Sequence, residues 1–322
     1  MLQRRDLFKG LCATAVAPVL GSAATQAIAM PRQDKWSLSA IHLTALDLPP
    51  EKLAVEEAHK AGYDAIGIRI NPISKGSVSY PYKAGSKELR SFKSLLADLG
   101  MRVNGVDGFA LNSNTDPTQF AGIFETCGEL GIKSLCICGD APDKPKFAAM
   151  FAKMCEMAKP YGFRIDLEFM AWRTIGTLEQ AYELVKMAGC SNGTIAVDSL
   201  HLYRSGGTAA DLDKIPARYL GDIHLCDAVK NPPIDRKLIA QVRAGKANLD
   251  STSGTPKGFE GLVNEARLGR LLPGDGELPL VDFMQHMPKS CAIGVEVPVP
   301  GLAPETVLKL SYEHSIRVLN KL

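Results

Sequence analysis

Four ionisable residues stand in or at the ends of four apolar runs: Glu168 in RIDLEFM, Asp198 in TIAVDSLHL, His224 in GDIHLCDA and Glu296 in AIGVEVPV. A charge buried alone is costly, so each needs a partner or a metal ion. Two glutamates, one aspartate and one histidine form an oxygen-rich donor set with a single imidazole. Such a set suits one divalent ion, Mn, Co or Mg, and can take Zn. Taken singly, blander readings compete. A glutamate at a strand end is commonly a rim ion pair, and a lone histidine is commonly a hydrogen-bonded core residue. Recurrence at four consecutive strand ends is what favours a shared ligand. Two further polar residues follow closely, His201 three positions after Asp198 and Asp227 three after His224.

These residues need elements to bring them together. Eight strand candidates run through the chain: LSAIHLTAL, AIGIRI, RVNGVDGFAL, SLCICG, RIDLEFM, TIAVDSLHL, GDIHLCDA and AIGVEVPV. Helical periodicity fills the gaps at 50–61, 87–99, 117–130, 144–159, 177–188, 209–219, 259–268, 280–286 and 304–319. Gly62, Gly100, Gly131 and Gly162 follow the last periodic residue of their helices, where glycine accepts a left-handed cap. The repeated helix–Gly–strand join predicts a (β/α)8 TIM barrel, a fold of about 250 residues whose active sites lie at the C-terminal strand ends. An open doubly wound sheet is the rival. It usually carries a Gly-rich phosphate loop after its first strand, and HLTALDLPP is no such loop. The polar, Gly-rich stretch at 229–275 reads as an insertion after strand seven, either a lid or a mobile surface loop.

The chain has 322 residues, 46% hydrophobic and 22% charged, with a formal charge of +2. That near-neutral balance gives no electrostatic reason to bind nucleic acid. The N-terminus differs from the rest. MLQRRDLFKG precedes an apolar stretch and small residues ending in Ala27-Ile28-Ala29. Arg4-Arg5 with Leu7, Phe8 and Lys9 resembles a twin-arginine export signal, cleaved after Ala29. The reading divides the chain into a signal peptide, 1–29, and one barrel domain, 30–322. It implies the twin-arginine export machinery as a partner and a periplasmic location. An ordinary secretory signal is the alternative. Cleavage would leave a mature chain of zero formal charge with no apolar run long enough to span a membrane. It would also leave seven cysteines, an odd number that argues against a disulfide framework. Cys136 and Cys138, two apart on a strand, read as buried small hydrophobes.

The run of motifs RIDLEFMAW, VDSLHLYRSGG, IHLCDA, GRLLPGDGELPL and VEVP resembles the xylose isomerase-like TIM barrel superfamily, in its sugar phosphate isomerase/epimerase group. The resemblance covers nearly all of the chain after residue 29. It implies one divalent metal ion held by Glu168, Asp198, His224 and Glu296. It also implies that Glu168 and Glu296 carry acid/base roles and that His201 contacts substrate. Between His224 and Glu296 the chain is long for the group, which the 229–275 insertion explains if the barrel closes normally.

Arg69, Arg173 and Arg204 are candidates for an anionic substrate group, against the commoner reading of each as a surface arginine. Trp172 is a candidate for stacking on a sugar face or for packing on the barrel top. His42 is a candidate for the pocket or the core. The function expected is a metal-dependent isomerase or epimerase acting on a small-molecule carbohydrate or related hydroxy-ketone, by proton transfer through an enediolate. Export would favour an unphosphorylated sugar. A lyase or dehydratase on the same scaffold, or a non-catalytic sugar-binding protein of the envelope, are the alternatives. The sugar, the native metal and the oligomeric state stay open.

Overall fold

Eight short strands run parallel and pair in chain order: β1 (Leu38–Ala40), β2 (Ala65–Arg69), β3 (Arg102–Asn112), β4 (Ser134–Asp140), β5 (Arg164–Glu168), β6 (Gly193–Asp198), β7 (Leu220–Leu225) and β8 (Ile293–Val295). β8 returns to β1 with Leu38 opposite Ile293 and Ala40 opposite Val295, so the sheet closes into a barrel. This computed structural model describes residues 36–322, apart from 46, 47, 74, 75, 81, 248 and 250–254. The expected export signal at 1–29 lies outside the described residues. Among the described residues no helix is long and apolar enough to cross a membrane.

The helices form where the sequence periodicity places them. Lys87–Leu99 begins at Ser86, whose hydroxyl accepts from the Leu89 N–H at 3.1 Å, and ends at Gly100 in the left-handed conformation (φ 65°). Its buried face is Leu89, Phe92 and Leu96, a 3–4 spacing that lays one side on the barrel. Lys144–Ala158 buries seven residues in the same manner, Phe147 and Phe151 among them. Three expectations fail locally. The strand expected over LSAIHLTAL ends at Ala40, and His42–Ala45 form a 3-10 turn instead. The helix expected over 209–219 is broken into Ala209–Leu212 and Ala217–Tyr219, with Pro216 between them removing a backbone donor. The strand expected to run through His201 stops at Asp198 and gives way at once to a helix, Ser199–Arg204.

The insertion after β7 holds helical structure. It carries helices Arg236–Arg243 and Glu260–Leu268. Its exit is tied to the barrel by reciprocal backbone hydrogen bonds: Asp227 N–H to Leu271 O at 2.9 Å and Leu271 N–H to Asp227 O at 2.8 Å. The Asp227 carboxylate takes the N–H groups of Gly274 and Leu278, at 2.9 and 3.0 Å. The sequence placed Asp227 among the polar strand-end residues, and its work is to fold the PGDGE turn.

The barrel interior alternates by layers. Asp166 and Asp222 point inward two residues before Glu168 and His224. They form a buried network with Arg164, Thr194, Ser134 and Asn104 at the N-terminal end. That end of such a barrel serves stability, and the opposite end carries the chemistry.

Candidate metal centre

Glu168 and Asp198 are the last residues of β5 and β6, His224 is the penultimate residue of β7, and Glu296 directly follows β8. Strand register sets Asp198 opposite His224. Each of the four offers one donor atom, and these atoms all lie within 4.8 Å of one another. All four side chains are buried.

Two hydroxyls hold the strand ends in place. Thr44 Oγ1 donates to Val295 O at 2.8 Å and accepts from Val297 N–H at 3.0 Å, bracketing Glu296. Ser199 Oγ donates to Cys226 O at 2.8 Å and accepts from Cys226 N–H at 3.1 Å, locking the end of β6 to the end of β7. Asp198 is also a helix cap. Its Oδ1 accepts the His201 backbone N–H at 3.0 Å. The three-residue spacing of Asp198 and His201 therefore has a local cause in the first turn of the helix they share.

His224 Nδ1 donates to Glu168 Oε1 at 2.9 Å and lies 3.5 Å from Glu296 Oε2. Burial disfavours its charge, but Glu168 and then Glu296 outweigh that and hold its pKa well above the ordinary value. For Glu168, burial pushes the carboxyl up, and the His224 imidazole beside it brings it below its usual range. Burial also opposes ionisation of Asp198, and Arg270 overcomes it, leaving the carboxyl far below normal.

Arg270 was not among the expected site residues. It is 4% exposed. Its Nη1 donates to Asp198 Oδ2 at 2.5 Å, and its Nη2 lies 3.1 Å from Glu296 Oε2. Glu296 Oε2 has no hydrogen bond of good geometry despite these two cations nearby. Three buried carboxylates thus face one guanidinium and one imidazole. With a neutral imidazole, two negative charges remain, the charge a divalent ion would neutralise. The donor chemistry and the unsatisfied Glu296 oxygen both fit a metal. Cys136 Sγ lies 3.8 Å from Glu168 Oε2 and could complete a second, three-donor set. Burial, then Glu168, pushes its thiol well up, so it stays protonated.

His201 is 2% exposed and its Nδ1 has no hydrogen-bond partner. The buried Trp172 ring meets the His201 ring edge-on, centroids 5.1 Å apart. Arg173 pairs with Asp140, whose other oxygen accepts the Thr174 N–H at 3.3 Å. Arg204 departs from expectation. It is buried and binds Glu265 through two hydrogen bonds of 2.7 and 2.6 Å, with a third to Val229 O. Through these bonds Arg204 anchors the inserted helix Glu260–Leu268.

The family model for the xylose isomerase-like TIM barrel matches residues 55–322. The inosose isomerase of Bacillus subtilis is 27% identical over 293 residues, covering 86% of this chain and 93% of that protein. The inosose isomerase of Halalkalibacterium halodurans is 25% identical over 290 residues, covering 83% and 90%. Among solved structures, the IolI protein with a binding zinc atom superposes with a TM-score of 0.67 at 22% identity, covering 88% of this chain and 98% of that one.

Proposed function

This chain belongs to the xylose isomerase-like TIM barrel family, and from that premise we propose that it is a metal-dependent isomerase or epimerase of a sugar or related hydroxy-ketone. The observation that carries the reading is the cluster of Glu168, Asp198, His224 and Glu296, with donor atoms within 4.8 Å of one another. The inosose isomerase relatives support the same reaction class.

Glu168, Asp198, His224 and Glu296 would hold the ion. A divalent ion there supplies polarisation of a ketone and the neighbouring hydroxyl, which makes the adjoining C–H acidic. The chain's own groups move the proton. Glu168 Oε1 and Glu296 Oε2 lie 2.9 and 3.5 Å from His224 Nδ1, so two carboxylates from different strand ends are available to a reacting carbon held at the centre. One removes the proton and the other returns it, to the opposite face in an epimerisation or to the adjacent carbon in an isomerisation. Buried His201, with a free ring nitrogen, steadies a substrate oxygen, and Trp172 holds its ring.

The test is solvent deuterium exchange. Protein stripped with chelator and reloaded in turn with Mn, Co, Mg or Zn is incubated in D2O with an inosose and with ketohexoses. Metal-dependent uptake at the carbon beside the carbonyl, with substrate mass otherwise conserved, supports the reading. Loss of water would assign a dehydratase instead. Metal binding without exchange or elimination would assign a sugar-binding role.

Arg4-Arg5 and Ala27-Ile28-Ala29 support export to the periplasm by the twin-arginine route. Cell fractionation with N-terminal sequencing tests it. A mature chain beginning at Met30 is the expected product, and an uncleaved cytoplasmic protein would refute it.

A further inference from the structure

Across the barrel from the metal ligands, the residues just after β1, the end of β2 and the middle of β3 supply polar groups that the proton transfer does not use. His42 lies just beyond β1, 1% exposed, and neither ring nitrogen has a hydrogen-bond partner among the described residues. Its ring meets the edge of Tyr80, centroids 5.5 Å apart. Arg69 ends β2 and stands in register with Asp107 of β3. The two form a double hydrogen bond, Nε to Oδ1 at 3.1 Å and Nη2 to Oδ2 at 2.7 Å. His42 is within electrostatic reach of both members of this pair, and Arg69 is within reach of Glu296.

The pair is built into the backbone. Gly108 has φ +100°, and a Cβ there would meet Asn71 O at 2.3 Å and Arg69 Cγ at 3.0 Å. Asn71 Nδ2 donates to Gly108 O at 2.8 Å. Glycine at 108 is therefore what lets the Arg69 side chain lie along β3 beside Asp107.

We infer that His42, Arg69 and Asp107 form a hydroxyl-binding subsite that takes an uncharged polyol end of the substrate and disfavours a phosphate or carboxylate. The inference rests on the isomerase/epimerase reading of the neighbouring centre. A neutral imidazole offers one donor and one acceptor, which match a hydroxyl that is itself both. Arg69 and Asp107 set a donor and an acceptor side by side, which suits neighbouring hydroxyls. Charge points the same way. Three arginines lie within electrostatic reach of the centre, and each already faces a carboxylate: Arg69 with Asp107, Arg173 with Asp140, and Arg270 with Asp198 and Glu296. A phosphate brought to Arg69 would also be brought to Asp107. With a divalent ion on three carboxylates and Arg270 beside them, the centre has no net charge left to attract an anion.

The experiment is equilibrium binding by calorimetry to zinc-reloaded protein, which is read without turnover. The probes are an inosose, D-tagatose and D-tagatose 6-phosphate. The wild-type protein is expected to bind at least one uncharged probe about tenfold more tightly than the phosphate. His42→Ala should weaken the uncharged probe about tenfold, the scale of lost hydrogen bonds in a buried site. His42→Gln, which keeps a donor and an acceptor, should recover most of it. Asp107→Asn removes the charge that masks Arg69 and should shift the ratio about tenfold toward the phosphate. A wild-type preference for the phosphate, a ratio unmoved by Asp107→Asn, or no binding of any uncharged probe would overturn the subsite. Uncharged binding that depends on His42, without deuterium exchange, would sustain the subsite and refute the isomerase reading.

Discussion

Arg270 Nη1 lies 2.5 Å from Asp198 Oδ2, and both side chains are almost wholly buried. A guanidinium that reaches in from the region of the insertion thus shares the carboxylate that caps the helix of His201. With Glu296 also near, Arg270 carries the fixed positive charge that makes the buried Asp198 and Glu296 tolerable in metal-free protein.

Arg270→Met is therefore expected to destabilise the metal-free protein by about 3 kcal/mol, the scale for breaking a buried ion pair. Added Zn should restore much of the loss, because the ion neutralises the same carboxylates and binds only the folded state. Urea unfolding with and without the metal checks this. Equal destabilisation in both conditions would contradict it.

Metal and proton should compete at His224. Its pKa is raised in the folded protein by Glu168 and Glu296, acting against burial, so the empty site favours the protonated ring, whereas ligation needs it neutral. Metal affinity should consequently rise with pH by about tenfold per unit, for one proton released, and level off above the raised pKa of His224. Calorimetry in buffers of different ionisation enthalpy counts that proton. A pH-independent affinity between pH 5 and 8 would contradict the competition.

Thr44 acts on the centre through the backbone on either side of Glu296. Thr44→Val should lower metal affinity by about 10–100-fold, as losses of supporting contacts around ligands do. Thr44→Ser, which keeps the hydroxyl, should stay near wild type. Matching losses in both variants would point to packing instead.

Arg204→Ala leaves Glu265 buried without its partner, and a cost of about 3 kcal/mol in unfolding free energy is expected. Metal affinity should not change. Weakened sugar binding at unchanged stability would return Arg204 to a substrate role.

The sequence carried the barrel and the meeting of the four candidate ligands because both obey simple periodicities. Eight apolar runs separated by amphipathic segments close in order, and the four ligands come at ends of successive strands. What stayed hidden depends on distant pairing. The partnership of Arg204 and Glu265 joins a helix at the end of β6 to a helix of the insertion, and no local pattern announces it. Arg270 sits in the loop GRLLPGDGE, where an arginine looks exposed, and only the closed chain buries it on Asp198. The Asp166–Asp222 network had a legible signal: each aspartate precedes a site residue by two positions, and a strand repeats its facing every two residues. The helix Ser199–Arg204 was also foreshadowed, because an aspartate three residues before the N–H it caps is a helix start. Pro216, inside the helix expected over 209–219, was the matching stop signal.

The most direct test of the metal centre is a calorimetric titration of Mn and Zn onto chelator-stripped protein, in the wild type and in Asp198→Ala and His224→Ala. A single site in the wild type, weakened at least a hundredfold in both variants while each remains folded by circular dichroism, is the predicted result. One metal per chain bound with unchanged affinity in either variant would place the ion elsewhere and contradict the centre.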